Sequence, residues 1–406
     1  MLWSVAWRNI WRSKVRSLVI MCALAIGILA GVFTWALYEG MAIQRINSAI
    51  KTEASHIQLH HRKYLENPDV KYFINNSNDI RDQIDSMAGV KAVTVRVIVN
   101  SMIASAETGA GVQVVGVVPE DERQVTNLYE KIVEGAYFEG KGRNPIIMGK
   151  KMAEKLNVNV RSKVVLTMQQ MDGEITRAQF KVAGIYKISN SVYEEMNVFV
   201  RKNDLTQLIG MDNASGHEIA VLLEDDRTYN DMQNKLSARY KNLDVKSWKE
   251  IMPEVSLVEE SIDISMYLIL GIILFALLFG IINTMLMAVL ERVKELGMLM
   301  AVGMNKIRVF TMIMLETLLL AFTGCITGII LGYLFTVILM KTGIDLSAWG
   351  EAYERLGYDT VVYPVPDLFI AVKVTIMVFV TGLVAAIYPA IKALKLKPAE
   401  ALRIDI

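Results

Sequence analysis

Four long apolar stretches, at about residues 17 to 38, 264 to 290, 311 to 340 and 369 to 391, constrain this chain more than any other feature. Each reaches the roughly 20 residues that a helix needs to cross the ~30 Å hydrocarbon layer of a bilayer. No water satisfies the backbone inside that layer, so each stretch must be helical. A simple soluble globule is excluded, and a composition of 53% hydrophobic and 21% charged residues agrees. The first stretch lacks a small-residue cleavage site and is longer than the apolar part of a secretory signal, so it reads as a retained anchor.

A formal net charge of +1 points neither to nucleic acid nor to a polyanionic substrate, but the cations are unevenly placed. Arg8, Arg12, Lys14 and Arg16 precede the first span, and Arg292, Lys294, Lys306 and Arg308 lie between the second and third. Lys392, Lys395, Lys397 and Arg403 follow the fourth. Between the third and fourth, residues 343 to 368 set Arg355 against Asp345, Glu351, Glu354, Asp359 and Asp367. The positive-inside rule then predicts both termini and the 291 to 310 segment on the cytoplasmic side of the membrane. Residues 39 to 262 and the 341 to 368 loop fall outside. Residues 1 to 16 read as a cytoplasmic amphipathic helix with Leu2, Trp3, Trp7, Ile10 and Trp11 on one stripe, and residues 392 to 406 as a cytoplasmic tail.

The expected fold class is four transmembrane α-helices with a large α+β extracytoplasmic domain inserted between spans 1 and 2. Cys22 and Cys325 both fall within spans, so that domain must be stabilised by a core and not by disulfides. "ASHIQLHHR", "VKAVTVRVIVN", "GVQVVGVVP" (closed by Pro119) and "MNVFVR" read as strands. "SNDIRDQIDSMAG" reads as a helix with Ser77 as N-cap and Gly89 as stop. "SKVVLTMQQMDGEITRAQFKVAGIY" reads as a hairpin turning at Asp172 and Gly173. A helix-like stretch from about 249 to 262 is expected to run on into the second span as a stalk.

Little in the chain suggests catalysis. His56 and His60 share a strand face while His61 points away, and no cysteine joins them, so they read as solvated strand residues with no metal. No Gly-x-x-x-x-Gly-Lys-Ser/Thr phosphate loop and no Ser-His-Asp arrangement occurs. Gly324, Gly328 and Gly332 stand four apart in the third span, as do Gly27 and Gly31 in the first, which lets helices approach closely in lipid. Glu316, inside the third span, is a functional candidate by its cost alone, unless it snorkels or pairs with Arg308 or Lys306.

The segment "LERVKELGMLMAVGMNKIR" holds Glu291, Arg292, Lys294 and Glu295, each of which would cost about 2 to 3 kcal/mol at a bilayer centre. It must sit at the inner surface. As a helix it carries charges at three- and four-residue spacing beside Leu296, Leu299 and Met300, a form suited to docking in a groove on another protein.

These residues also carry a resemblance. Glu-Arg-x-x-Glu-x-Gly followed by Ala-x-Gly, here Glu291, Arg292, Glu295, Gly297, Ala301 and Gly303, resembles the signature of the permease family shared by the lipoprotein-releasing system, the macrolide exporter and the cell-division permease. The ending "YPAIKALKLKPAEALR" is similar to that family's terminal motif, at Pro389, Ala390, Ala393, Pro398, Glu400, Ala401, Leu402 and Arg403. Stretches such as "VYEEMNVFVRKNDLTQLIGM" resemble the family's porter-type domain and look closest to the lipoprotein-releasing permeases.

The resemblance implies a type VII ABC transporter permease, a non-catalytic subunit that binds no cofactor. ATP and Mg would sit on separate cytoplasmic ABC ATPase subunits, and a second copy or a related permease would complete the complex. Glu291, Arg292, Lys294, Glu295 and Gly297 would form the coupling helix. The implied activity is extraction or release of lipoproteins from the outer leaflet by mechanotransmission, with a periplasmic carrier or adaptor as partner. Phe33, Leu37, Met41, Met266 and Leu270 would line the lipid-accepting cleft. Two alternatives stay open: an efflux or mechanotransmission permease working with a periplasmic adaptor, and a regulator relaying ATPase state to an extracytoplasmic hydrolase.

Overall fold

The computed structural model describes residues 14–138 and 144–395, so most of the expected N-terminal amphipathic helix and most of the tail lie outside the described residues. Among the described residues, four helices are long and apolar enough to cross a membrane. Span 1 is helical over Lys14–Ser48 and continues as a π-helical turn over Ala49–Ala54. Span 2 (Pro253–Glu291), span 3 (Lys306–Thr342) and span 4 (Leu368–Leu394) complete the set. A short helix over Trp248–Ile251 precedes span 2, so the expected stalk is two helices parted at Met252.

In the span unit, span 1 is the hub. Ile20, Leu24, Ile28, Val32 and Trp35 form a buried stripe at helical spacing. The glycine ladder of span 3 lies against span 1: a methyl group at Gly328 would stand 2.9 Å from Ala25 Cα, and one at Gly332 3.1 Å from Leu29 Cα. The two glycine sets do not face each other. Gly31 admits Val374 of span 4 and Leu270 of span 2, and Gly27 admits Leu277 of span 2. Span 4 buries a small-residue stripe of its own, including Ala371, Gly382, Ala385, Ala386 and Ala390.

The inserted domain is built on a ten-stranded sheet: β1 (Ile57–His61), β2 (Val90–Ala104), β3 (Gly109–Val117), β4 (Ile132–Gly135), β5 (Pro145–Gly149), β6 (Lys163–Gln169), β7 (Ile175–Tyr186), β8 (Asn197–Arg201), β9 (Glu218–Leu223) and β10 (Leu243–Ser247). Its helices are α1 (Ser77–Asp85), α2 (Pro119–Val125), α3 (Lys150–Leu156), α4 (Ser191–Met196), α5 (Lys202–Ile209) and α6 (Tyr229–Arg239). The fifteen-residue β2 belongs to two lobes. Its first half pairs with β9 in the run β10-β1-β9-β2, whose core includes Ile57, Leu59, Val93, Val95, Ile219 and Leu236. Its second half pairs with β3 and β6. Because β3-β8-β5-β7-β6 returns to β2, these six strands close on themselves, and β4 adds beside β7 as an edge strand.

Period-two alternation divides the side chains of the closed lobe. Val97, Val99, Ile146 and Met148 enter one core with Leu205 and Ile209 of α5, while Ile98 and Ile147 enter another with Tyr137, Tyr186 and Phe199. The hairpin turns where expected, with Gly173 at φ +92°, a conformation that favours glycine. Ser77 is not the N-cap of α1. Asn76 holds that position in left-handed geometry, and the Ser77 hydroxyl donates to the Ala214 carbonyl. Pro119 ends β3 by opening α2 as its first residue.

The histidines also depart from expectation. His56 and His60 are buried, because β1 is an inner strand flanked by β9 and β10 and covered on both faces. Among the described residues no three His, Cys, Asp or Glu groups come together as metal ligands. His217 is buried too: its Nδ1 accepts from the Ile98 N–H at 3.1 Å and its Nε2 donates to the Val70 carbonyl at 2.9 Å. This fixes a neutral ring, and burial pushes its pKa down to about 4. Burial pushes the Glu194 carboxyl up to about 7.

The two groups act in opposite senses. Relative to the unfolded chain, Glu194 contributes stability that is complete below pH 4.5 and lost as pH rises to about 7. At His217 the unfolded chain binds the proton first, so stability falls as pH drops from 6.5 towards 4. Glu194→Gln removes the first effect and leaves the second. The melting temperature of this variant in detergent should therefore fall more steeply from pH 7 to pH 5 than that of the parent protein; equal slopes would contradict the assignment.

Candidate functional site

Span 2 ends at Glu291, and Arg292 leaves helical geometry with φ −103° and ψ 15°. A separate short helix then runs over Val293–Ala301. Gly303, at φ +102°, turns the chain, and the Asn305 side chain caps span 3 by accepting from the Ile307 N–H. The expected coupling segment is thus a distinct helix that starts two residues after Glu291.

Its charges reach back into the bundle. Arg292 Nη1 donates to both oxygens of Glu316, at 3.1 and 3.2 Å, and Arg292 Nε donates to Glu295 at 3.3 Å. Glu291 pairs with Arg16 of span 1. Arg16, Arg292 and Glu316 line one small cleft with Ile20, Met285 and Leu296. Glu316, only 9% exposed, therefore pairs with Arg292 and not with Arg308 or Lys306, both exposed. Those two lie about 12 and 15 Å away along the helix rise, beyond reach on the same helix.

The short helix is two-sided. Val293, Leu296 and Gly297 are buried beneath it. Lys294, Met298, Leu299 and Val302 are exposed, Met298 to 54% and Val302 to 90%. The helix thus exposes an apolar face with a charged border and is held from behind by ion pairs.

The residues expected to line a lipid cleft lie on spans 1 and 2. Met266 and Leu270 are buried in the bundle, Leu270 against Gly31, and Phe33 stands edge to face with Phe335. Leu37 and Met41 are half-buried on span 1. Sequence reasoning also passes over Lys373, which interrupts the apolar run of span 4. Its ammonium bonds to the Tyr267 hydroxyl and lies 4.7 Å from the Tyr267 ring centre and 5.3 Å from that of Trp35, so spans 1, 2 and 4 meet there.

In the inserted domain's unit, residues 346–360 of the loop between spans 3 and 4 are clasped by polar contacts. Asp359 accepts from Ser189 and from Gln44, Lys187 pairs with Glu354 at 3.2 Å, and Gly357 (φ +79°) packs on the Arg45 guanidinium. Arg45 in turn donates to Glu53 at 2.9 Å, an ion pair buried on both sides.

Four apolar helices, a large mixed domain between the first two, and a charged two-sided helix between the second and third define a membrane-embedded transporter subunit of the permease type. The MacB-like periplasmic core domain family matches residues 17–239, and the FtsX-like permease C-terminal family matches residues 267–398. The chain belongs to the permease family that these domains define, the type VII ABC permeases of the inner membrane. It is 24% identical over 307 residues to the lipoprotein-releasing system transmembrane protein LolC of Xylella fastidiosa, covering 71% of this chain and 72% of that one. It is 22% identical to the lipoprotein-releasing system transmembrane protein LolE of Haemophilus influenzae, over 98% of both chains. The macrolide export ATP-binding/permease protein MacB of Bdellovibrio bacteriovorus is 32% identical over 126 residues, 31% of this chain and 17% of that protein. Among solved structures, the periplasmic region of MacB from Actinobacillus actinomycetemcomitans aligns over 52% of this chain and 95% of its own, with a TM-score of 0.37 and 11% identity.

Proposed function

We propose that this chain is the non-catalytic membrane subunit of an ATP-driven complex that releases lipoproteins from the outer leaflet of the inner membrane. Both termini and the Val293–Ala301 helix face the cytoplasm, and the inserted domain faces the periplasm. The short helix docks on a separate ABC ATPase, which holds the ATP and Mg, and a second permease copy or a related chain completes the membrane part. The observation that carries this reading is the ion-paired helix itself. Its exposed apolar side chains, Met298, Leu299 and Val302, would seat on the ATPase, while Arg292 and Glu291 tie its root to spans 3 and 1. Similarity to LolC and LolE along most of the chain favours lipoprotein cargo. The MacB-like character of the inserted domain favours, as a second reading, an efflux permease working with a periplasmic adaptor.

The test is to purify the complex in detergent without added substrate and identify every accompanying protein and lipid by mass spectrometry. A separate ATPase together with acylated proteins is the expected result. An adaptor in place of acylated cargo would move the function to efflux, and a periplasmic hydrolase would make it a regulator.

A further inference from the structure

Where span 1 hands over to the inserted domain, the backbone stands between two hydrogen-bonding schemes. Residues Ala49–Ala54 wind as a π turn, and the Ser55 N–H closes it by donating to the Ile50 carbonyl, five residues back, at 2.9 Å. In an α-helix the same N–H would donate four residues back, to the Lys51 carbonyl. That carbonyl is already engaged: it accepts from the Asn127 N–H at 2.9 Å. Ser55 and Asn127 therefore compete for one acceptor. Asn127 stands between α2 and β4, and its side-chain oxygen accepts from the Thr52 hydroxyl at 2.8 Å, a second bond to the same turn.

The π form is costly at Ser55. Its φ of 62° and ψ of −176° fall in a region that only glycine enters easily. The residue is wholly buried, and its hydroxyl has no hydrogen-bond partner. Such strain persists only where the surroundings hold it, and here they are specific. Glu53, inside the turn, accepts from Arg45 at 2.9 Å and from Asn190 at 3.0 Å. The Ala54 carbonyl accepts from the Gln58 side chain at 2.8 Å. Single π turns within helices gather at functional positions, where one residue more than an α turn needs is held in the coil.

We propose that residues 49–55 form a two-position catch, kept in the π form by Asn127 and stepping to an α turn, with Ser55 donating to Lys51, when Asn127 lets go. The step advances the helix end by one residue, about 1.5 Å and about 100°, and returns Ser55 to helical dihedrals. The Ser55 N–H has an acceptor in both positions and the Asn127 N–H in one, so the turn moves in a discrete step and does not fray. Tension between span 1 and the inserted domain is taken up at this point.

Residue-resolved hydrogen exchange of the full-length protein in phosphatidylcholine nanodiscs tests the catch and needs neither cargo nor ATPase. Thr52→Val keeps the side-chain shape and deletes the hydroxyl bond to Asn127. It should speed exchange of the Asn127 amide about fivefold or more and leave the Ser55 amide unchanged, because Ser55 passes from one acceptor to the other. Ser55→Gly removes the strain that favours release and should slow the Asn127 amide about fivefold or more. The amides of β1 should not change in either variant. Equal acceleration of Asn127 and Ser55 in Thr52→Val would mean that the turn unfolds, and would overturn the proposal. A Ser55→Gly protein whose Asn127 amide exchanges as in the parent would overturn it too, as would a Thr52→Val protein whose β1 amides quicken alongside Asn127.

Discussion

Arg292→Glu should leave the chain inserted in the membrane but strip the complex of substrate-driven ATP turnover. The substitution puts a fourth carboxylate beside Glu291, Glu295 and Glu316 and removes the cation that pairs with the last two. Removing one partner of a part-buried ion pair leaves the remaining charge uncompensated, and reversing its sign adds repulsion. The root of the Val293–Ala301 helix would then separate from span 3. The double variant Arg292→Glu, Glu316→Arg should recover part of the turnover, and only part, since Arg16 lines the same cleft. Full turnover in the single variant, or no recovery in the double, would remove this ion pair from the mechanism.

Gly328→Leu should prevent stable assembly of the bundle. At this position even a methyl group would lie 2.9 Å from Ala25 Cα and 3.1 Å from Ile28 Cβ, so backbone and not a flexible side-chain end would have to yield. Overpacking of this kind costs about 3 kcal/mol, and the larger side chain can be admitted only by parting spans 1 and 3. Gly280→Ala in span 2 is the control, since nothing lies within 4 Å of a methyl group there. Thermal unfolding in detergent should show a large loss for the first and none for the second. Equal behaviour would mean that the glycine ladder does not set the packing.

The sequence discloses what is local. Apolar runs mark the spans because lipid demands helix along the whole run, and Asp172-Gly173 marks the hairpin because its turn needs a glycine conformation. Non-local features stay hidden. Nothing in "VKAVTVRVIVNSMIA" says that its two halves pair with different strands, since both halves alternate in the same way. The short strands β4 and β10 have too few residues to show a period. Glu316 announces its cost but not its partner, because Arg292 reaches it from a helix break that a continuous-helix reading of Glu291 to Gly297 does not contain. Lys51 and Asn127 meet although 76 positions separate them, and neither lies in a motif.

The most direct measurement replaces Met298, exposed on the short helix, with a photo-cross-linking amino acid in the full-length protein in its native membrane, and identifies the adduct by mass. The account predicts a single adduct with an ABC ATPase, formed from Met298 and not from the exposed control position Phe322 on span 3. Adducts with lipid alone, or with a periplasmic protein, would contradict the coupling role and the orientation on which it depends.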